Sequence, residues 1–266
     1  MGGRKLYDML QPFIMEHGIK IGRDALFDLL AANQLLIKKR KRKIQTTYSN
    51  HWLRKYPNLI RDFVPGAINQ LWVSDITYWK VQNDGYLYIS LITDAYSRKI
   101  VGYHVAETLE AIQSVEALQM ALAALEEAAG PLQLTHHSDR GIQYCSNKYV
   151  KLLQDNDIRI SMTENGDPLE NAIAERVNGI IKEEYLVHYK TDNLREAEKQ
   201  LQKSIGLYNN DRPHMSIGNL APNKLHNNKT INVQRLWKNY FKKPSTFEGS
   251  NKNIPVNPFQ DLSINP

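Results

Sequence analysis

The chain predicts an α/β fold, a five-stranded mixed sheet flanked by helices and preceded by a small helical segment resembling a helix-turn-helix. Three observations carry that prediction. Apolar residues recur at helical spacing through residues 4–33, and strand-like patterns begin abruptly at Leu71. From there the elements run β-β-β-α-β-α-β-α. With 266 residues and 42% hydrophobic content the chain can bury a substantial core.

The first helix, Arg4 to about Glu16, lines up Leu6, Met9, Leu10, Phe13 and Ile14, and Gly18 ends it. The second, Arg23 to Asn33, carries Ala25, Leu26, Leu29 and Leu30 as its apolar stripe. Two short helices around a glycine turn fit a helix-turn-helix and an ordinary helical hairpin equally well. Lys38, Lys39, Arg40, Lys41, Arg42 and Lys43 then form an unbroken basic run. Such a run is either a solvated stretch, a nuclear-localisation pattern, or a phosphate-binding segment whose affinity falls steeply with salt. Residues 1–45 thus form one unit, and 46–69, with Pro57 and Pro65, read as a linker.

Strands are predicted at Leu71–Trp79, Tyr86–Thr93 and Lys99–Val105, the last two joined by the short connection Asp94–Arg98. A helix over Ser114–Ala129 is stopped by Gly130-Pro131. Leu132–His136 is the fourth strand, Asn147–Asp155 a helix and Ile158–Met162 the fifth strand. A longer helix follows over Gly166–Leu186, with Asp167 as N-cap and Pro168 at the first helical position. Its apolar side holds Leu169, Ile173, Val177, Ile180 and Ile181; Asn171, Glu175, Asn178 and Lys182 form an opposite polar stripe. Residues 70–188 make up the sheet-containing unit, 189–240 a helical extension with a helix near Asn193–Tyr208, and 241–266 a disordered tail.

The single cysteine, Cys145, cannot form an intrachain disulfide, and no run of 18 apolar residues is present. The N-terminus carries neither a signal-peptide core nor a myristoylation pattern, so a cytoplasmic protein with no membrane partner is expected. The net charge of +6 is unevenly spread: +8 over residues 1–70, −8 over 71–188 and +6 over 189–266. An acidic middle between basic flanks fits a cation-dependent enzyme acting on a polyanion, and also fits ordinary charge variation.

Three acids stand where a metal site would want them. Asp75 lies within the first strand, Asp139 just after the fourth, and Glu175 on the polar stripe of the long helix. In this strand order the first and fourth strands are commonly neighbours at the sheet centre, which would bring the two aspartates together under the helix. Clustered carboxylates repel unless cations neutralise them, and hard oxygen ligands favour Mg²⁺ or Mn²⁺. Two such ions can drive an in-line phosphodiester displacement. Read singly, Asp75 and Asp139 are also ordinary strand-end acids and Glu175 an ordinary surface charge.

Four stretches, in order, carry a family resemblance: Asp75-Ile-Thr-Tyr, His137-Ser-Asp139-Arg-Gly-Ile-Gln-Tyr144, Gly166-Asp-Pro-Leu-Glu-Asn-Ala-Ile-Ala-Glu175-Arg-Val-Asn-Gly and Tyr208-Asn-Asn-Asp-Arg-Pro-His214. Together they resemble the retroviral-integrase-like DDE transposases, in particular the OrfB products of bacterial insertion sequences. Thirty-five residues separate Asp139 from Glu175, the spacing that names this catalytic core, and Lys182 lies seven residues beyond Glu175. The resemblance implies an RNase H-like core in which Asp75, Asp139 and Glu175 hold two Mg²⁺ ions, with Mn²⁺ able to substitute. It implies a bacterial, nucleoid-associated enzyme that cleaves element ends and transfers them into target DNA. Its partners would be double-stranded DNA at the terminal inverted repeats and target, a second copy or more of the chain on DNA, and an upstream-frame product. Lys182, Asn178 and Arg140 are expected to contact DNA near the active site, and Lys38 to Lys43 its backbone.

Glu170-Asn171 stands where many relatives have Asp-Asn, and one cysteine cannot supply a retroviral-type zinc domain. His136-His137 therefore reads as strand-end packing and polar support. Two other readings remain at this point. One is a non-catalytic DNA-binding regulator of transposition with the same fold, and the other an RNase H-type nuclease acting on RNA–DNA hybrids.

Overall fold

The strand patterns that begin at Leu71 build one five-stranded sheet in the order β3-β2-β1-β4-β5. Its strands are β1 (Leu71–Lys80), β2 (Tyr86–Asp94), β3 (Ile100–Ala106), β4 (Thr135–Ser138) and β5 (Arg159–Met162). The helices are α1 (Gly3–Glu16), α2 (Arg23–Ala32), α3 (Ala111–Glu126), α4 (Asn147–Asp155), α5 (Ala172–Ile180), α6 (Leu194–Asp211) and α7 (Pro222–His226). The structure, a computed structural model, describes residues 2–36, 51–81, 85–126, 133–164, 168–191, 193–228, 231 and 233. The basic run Lys38 to Lys43, the Asp167 cap, the Gly130-Pro131 stop and the tail 241–266 lie outside the described residues. Among the described residues no helix is long and apolar enough to cross a membrane.

The strand at the centre of the sheet positions the site. β1 pairs antiparallel with β2 from Trp72↔Asp94 to Lys80↔Tyr86. Its parallel pairing with β4 covers only Leu71 to Val73. β4 in turn pairs parallel with β5, giving the mixed sheet of an RNase H-like arrangement. Beyond Val73 a helix side chain takes over from the missing strand: Asn171 donates its amide to the Ser74 carbonyl at 2.9 Å. The fourth strand, predicted from Leu132, which lies outside the described residues, has its ladder from Thr135, which meets Leu71 and Arg159 together.

Two apolar layers hold the sheet. In one, Trp72 and Ile92 pack with Leu118, Leu122, Tyr149 and Leu153 of α3 and α4. In the other, Trp79, Ile89 and Leu91 pack with Val177 and Ile180 of α5 and with Leu201, Ile205 and Tyr208 of α6. Each such fully buried side chain contributes about 1.5–3 kcal/mol. The first layer is tight enough to require a glycine. A Cβ at Gly102 would stand 2.1 Å from the Ala117 carbonyl oxygen and 2.9 Å from the Ala121 Cβ.

The Tyr208–His214 motif works as a latch. The Tyr208 hydroxyl donates to the Arg98 carbonyl at 2.9 Å, and Asn209 exchanges two 3.0 Å bonds with the Ile100 backbone. Arg212 makes a two-point bond to Glu184 at 2.8 and 2.9 Å, with its side chain only 2% exposed. Asp94 caps the β2–β3 turn from inside, accepting from the Ser97 and Asn69 amides at 2.7 and 2.8 Å.

The long helix predicted over Gly166–Leu186 is instead a series of segments. A 3₁₀ turn at Pro168–Asn171 leads into α5, which widens to a π-helical stretch over Ile181–Tyr185 and tightens again at Leu186–His188. Glu184 lies in the wide turn, where its bond to Arg212 ties that turn to the end of α6.

Residues 51–70 contain no helix or strand, and Pro57 and Leu59 among them bond to β5. The Met162 amide donates to the Pro57 carbonyl at 3.3 Å and the Leu59 amide to Ser161 Oγ at 2.9 Å. Ahead of them, α1 and α2 form a hairpin whose turn uses Gly18 at φ +62°. A Cβ at Gly3 would lie 2.8 Å from the Phe27 ring, so the two helices pack closely there.

Candidate active site

Asp75 and Asp139 are brought together by the β1–β4 pairing, one inside β1 and the other one residue past the end of β4. Both carboxylates are partly buried. Loss of solvent, and then the charge of Asp139, push the Asp75 carboxyl up to about 7. The Asn178 amide opposes that rise, donating to Asp75 Oδ2 at 2.9 Å, and the Ile76 N–H reaches Oδ1 at 2.9 Å. Burial also raises the Asp139 carboxyl, against a 2.9 Å bond from the Gly141 N–H to Oδ1. A Cβ at Gly141 would stand 2.9 Å from that same oxygen, so a larger residue there would press on the Asp139 carboxylate.

Glu175 lies in the first turn of α5 with its side chain exposed, and its charge is felt at Asp75. The three predicted acids are therefore neighbours, with the two aspartates the more closely coupled pair. Among the described residues no three His, Cys, Asp or Glu side chains already converge as a chelating cluster. The donor set nonetheless fits a hard divalent cation. Two crowded carboxylates whose charged forms disfavour each other, with a third within electrostatic reach, gain from a cation and offer only oxygen.

The polar stripe of the long helix divides. Asn171 and Asn178 are 5% and 4% exposed and turn toward β1, where their amides hold the Ser74 carbonyl and Asp75. Asn178, expected to touch DNA, has its amide N–H on Asp75, where α5 covers the strand edge that β4 leaves, and its carbonyl oxygen is without a hydrogen-bond partner. Lys182, in the π-helical stretch, holds its ammonium 4.5 Å from the centre of the Tyr78 ring. Arg140 follows Asp139 directly; its Nε is buried without a hydrogen-bond partner, and its carbonyl accepts from His51 Nε2 at 2.8 Å.

Polar support lies beneath the acids. His136 Nε2 meets Ser74 Oγ at 2.7 Å and the Tyr149 hydroxyl at 2.9 Å, while His137 Nδ1 meets Ser161 Oγ at 2.8 Å. Burial lowers His136 to about 3 and His137 to about 4, so both rings are neutral near pH 7. They pack and orient, as the sequence reading has it. The roles of Asn171, Asn178 and His51 were not readable from spacing, since each bonds a residue distant in sequence.

Known proteins similar to this chain point to one family. The integrase core domain family matches residues 66–168, and a second integrase core domain family matches residues 156–222. The chain is 39% identical over 215 residues to the insertion element IS600 uncharacterized 31 kDa protein of Shigella sonnei, covering 80% of this chain and 78% of that one. It is 31% identical over 221 residues to the transposase for insertion sequence element IS629 of Shigella sonnei, covering 83% and 72%. Among solved structures, the simian T-cell lymphotropic virus intasome in complex with PP2A regulatory subunit B56 gamma is similar at a TM-score of 0.52. That match has 16% identity and covers 93% of this chain and 81% of that one, a likeness of fold alone. Family matches and relatives agree: the chain belongs to the DDE transposases of bacterial insertion sequences, enzymes with an integrase core that cleave DNA and transfer its strands.

Proposed function

We propose that the chain binds the ends of its insertion sequence and, with Asp75, Asp139 and Glu175 holding two Mg²⁺ ions, cleaves those ends and joins them to target DNA. When bound, such a pair of ions activates a nucleophilic oxygen and stabilises the leaving oxygen of an in-line displacement. The observation that carries this reading is that Asp75 and Asp139, at the end of the β1–β4 pairing, lie within electrostatic reach of each other, with the charge of Glu175 also felt at Asp75.

The chain's own residues orient those ligands. Asn178 fixes one oxygen of Asp75, and the Gly141 N–H fixes one oxygen of Asp139. Lys182, steadied over Tyr78, and Arg140 supply positive charge for the phosphodiester backbone near the acids. Lys38 to Lys43 add sequence-independent backbone affinity. Since two ends are processed together, the working form is a dimer or larger assembly on DNA, with the upstream-frame product as a further partner. Retention of all three acids in one neighbourhood favours an enzyme over a non-catalytic regulator.

Glu175→Gln tests the reading. With Mg²⁺ or Mn²⁺, the wild-type chain is expected to nick and join DNA carrying the element's ends. Chelation with EDTA should stop both steps, and the variant should bind the same DNA without cutting it. Cutting that persists in EDTA, or in the variant, would contradict the assignment.

A further inference from the structure

Trp52 is 89% exposed, more than any other large hydrophobic side chain among the described residues. A lone exposed apolar residue is ordinary; what sets this one apart is its surroundings. The flanking side chains Leu53 and Tyr56 pack into the core cluster under α3 and α4, so the segment is anchored while Trp52 is held out. His51 ties the same segment to the active-site loop through its 2.8 Å bond to the Arg140 carbonyl, one residue from Asp139. The Lys55 ammonium donates to the His51 carbonyl and closes the turn.

The segment is also positively charged without compensation. Arg54 lies 5.1 Å over the Tyr56 ring, and neither it, Lys55 nor Arg140 pairs with a carboxylate among the described residues. Lys55, Arg140 and Asp139 all act electrostatically on Cys145, which places the two cations beside the catalytic loop. The buried Arg140 Nε without a partner adds an unused donor at the same spot.

We propose that residues 51–56 form a DNA-contacting strap on the Asp139 side of the active site. In it, Trp52 stacks on an unpaired base at a DNA end, while Lys55 and Arg140 hold the adjoining phosphates. An indole presented this way meets only base edges in an intact duplex, whereas an unpaired base offers its face. The inference rests on the reading of the site as one that acts on DNA ends.

The test uses the full chain, with two probes: a 30-base-pair blunt duplex, and the same duplex with a three-nucleotide 3′ overhang carrying 2-aminopurine. Trp52→Ala should weaken binding of the overhang duplex about 5- to 100-fold and leave blunt-duplex binding within about twofold. Quenching of 2-aminopurine by the wild-type chain should disappear in Trp52→Ala and partly return in Trp52→Phe. Equal losses on both probes, or no loss on either, would overturn the strap. Wild-type binding to neither probe would overturn the DNA reading itself. Binding and quenching that Trp52→Ala leaves unchanged, beside cleavage of element-end DNA that is lost in Asp139→Asn, would sink the strap alone.

Discussion

Asn178 shows how much a single residue's role depends on what lies across from it. Its place three residues after Glu175 marks it as part of the polar stripe, and a polar stripe ordinarily means water. Here the stripe meets the uncovered edge of β1, so Asn178 is buried and its amide stabilises the charged form of Asp75. Hydrogen bonds to charged groups contribute about 1.5–3 kcal/mol, so Asn178→Ala should slow DNA cleavage about 10- to 100-fold. Losing the donor raises the Asp75 carboxyl further above about 7, so the acidic limb of the pH–rate profile should move to higher pH. An unshifted limb would mean that Asn178 does not act through Asp75. The three acids were singled out by their order along the chain and their spacing, and the charges of Asp139 and Glu175 both act on Asp75. The amides that aim them were not, because Asn178 and Asp75 lie 103 residues apart and nothing local marks the bond.

At the scale of elements, the order and type of the strands were readable because period-two patterns and turn residues are local signals. The interruption of the long helix was not. Its sequence satisfies a 3.6-residue period throughout, and the wide turn at Ile181–Tyr185 is tied to Arg212, 28 residues beyond Glu184. Both side chains of that pair are largely buried, at 2% and 12% exposure. Removing one partner strands the other charge, so Arg212→Leu should cost about 3–5 kcal/mol in urea unfolding, and adding Glu184→Leu should recover much of it. A double variant no more stable than the single one would mean that the pair matters for packing rather than charge. Gly102 sets a second element-scale limit, where α3 lies directly on β3. With the Ala117 carbonyl 2.1 Å from a new Cβ, Gly102→Ala should destabilise the fold by about 3 kcal/mol, the upper end of overpacking costs. Calorimetry reads this as a lowered melting temperature.

For the molecule as a whole, three buried histidines and one half-buried histidine set the response to acid. Burial holds His136 near 3, His137 near 4, His214 near 2 and His226 near 4, each below the value of about 6.5 that an unfolded chain has. Between those limits the unfolded chain takes up protons that the folded chain refuses, so stability falls as pH drops below about 6.5. Asp75, Asp94 and Asp139, raised by burial, act in the opposite direction. Urea midpoints should therefore be lower at pH 5 than at pH 7, and His136→Gln should narrow the gap. The charge layout adds a second whole-molecule response. Changing Lys38 to Lys43 to Gln should weaken DNA binding for all sequences alike and flatten its salt dependence, which titrations at several salt concentrations would show. A loss confined to the terminal repeats would mean that the run reads sequence. The central claim is that Asp75, Asp139 and Glu175 form one cation-dependent site for strand cleavage and transfer. It is tested most directly by assaying Asp139→Asn beside the wild-type chain on DNA bearing the element's ends, with Mg²⁺ present. The account predicts unimpaired DNA binding with cleavage and joining both abolished; full activity in the variant would contradict it.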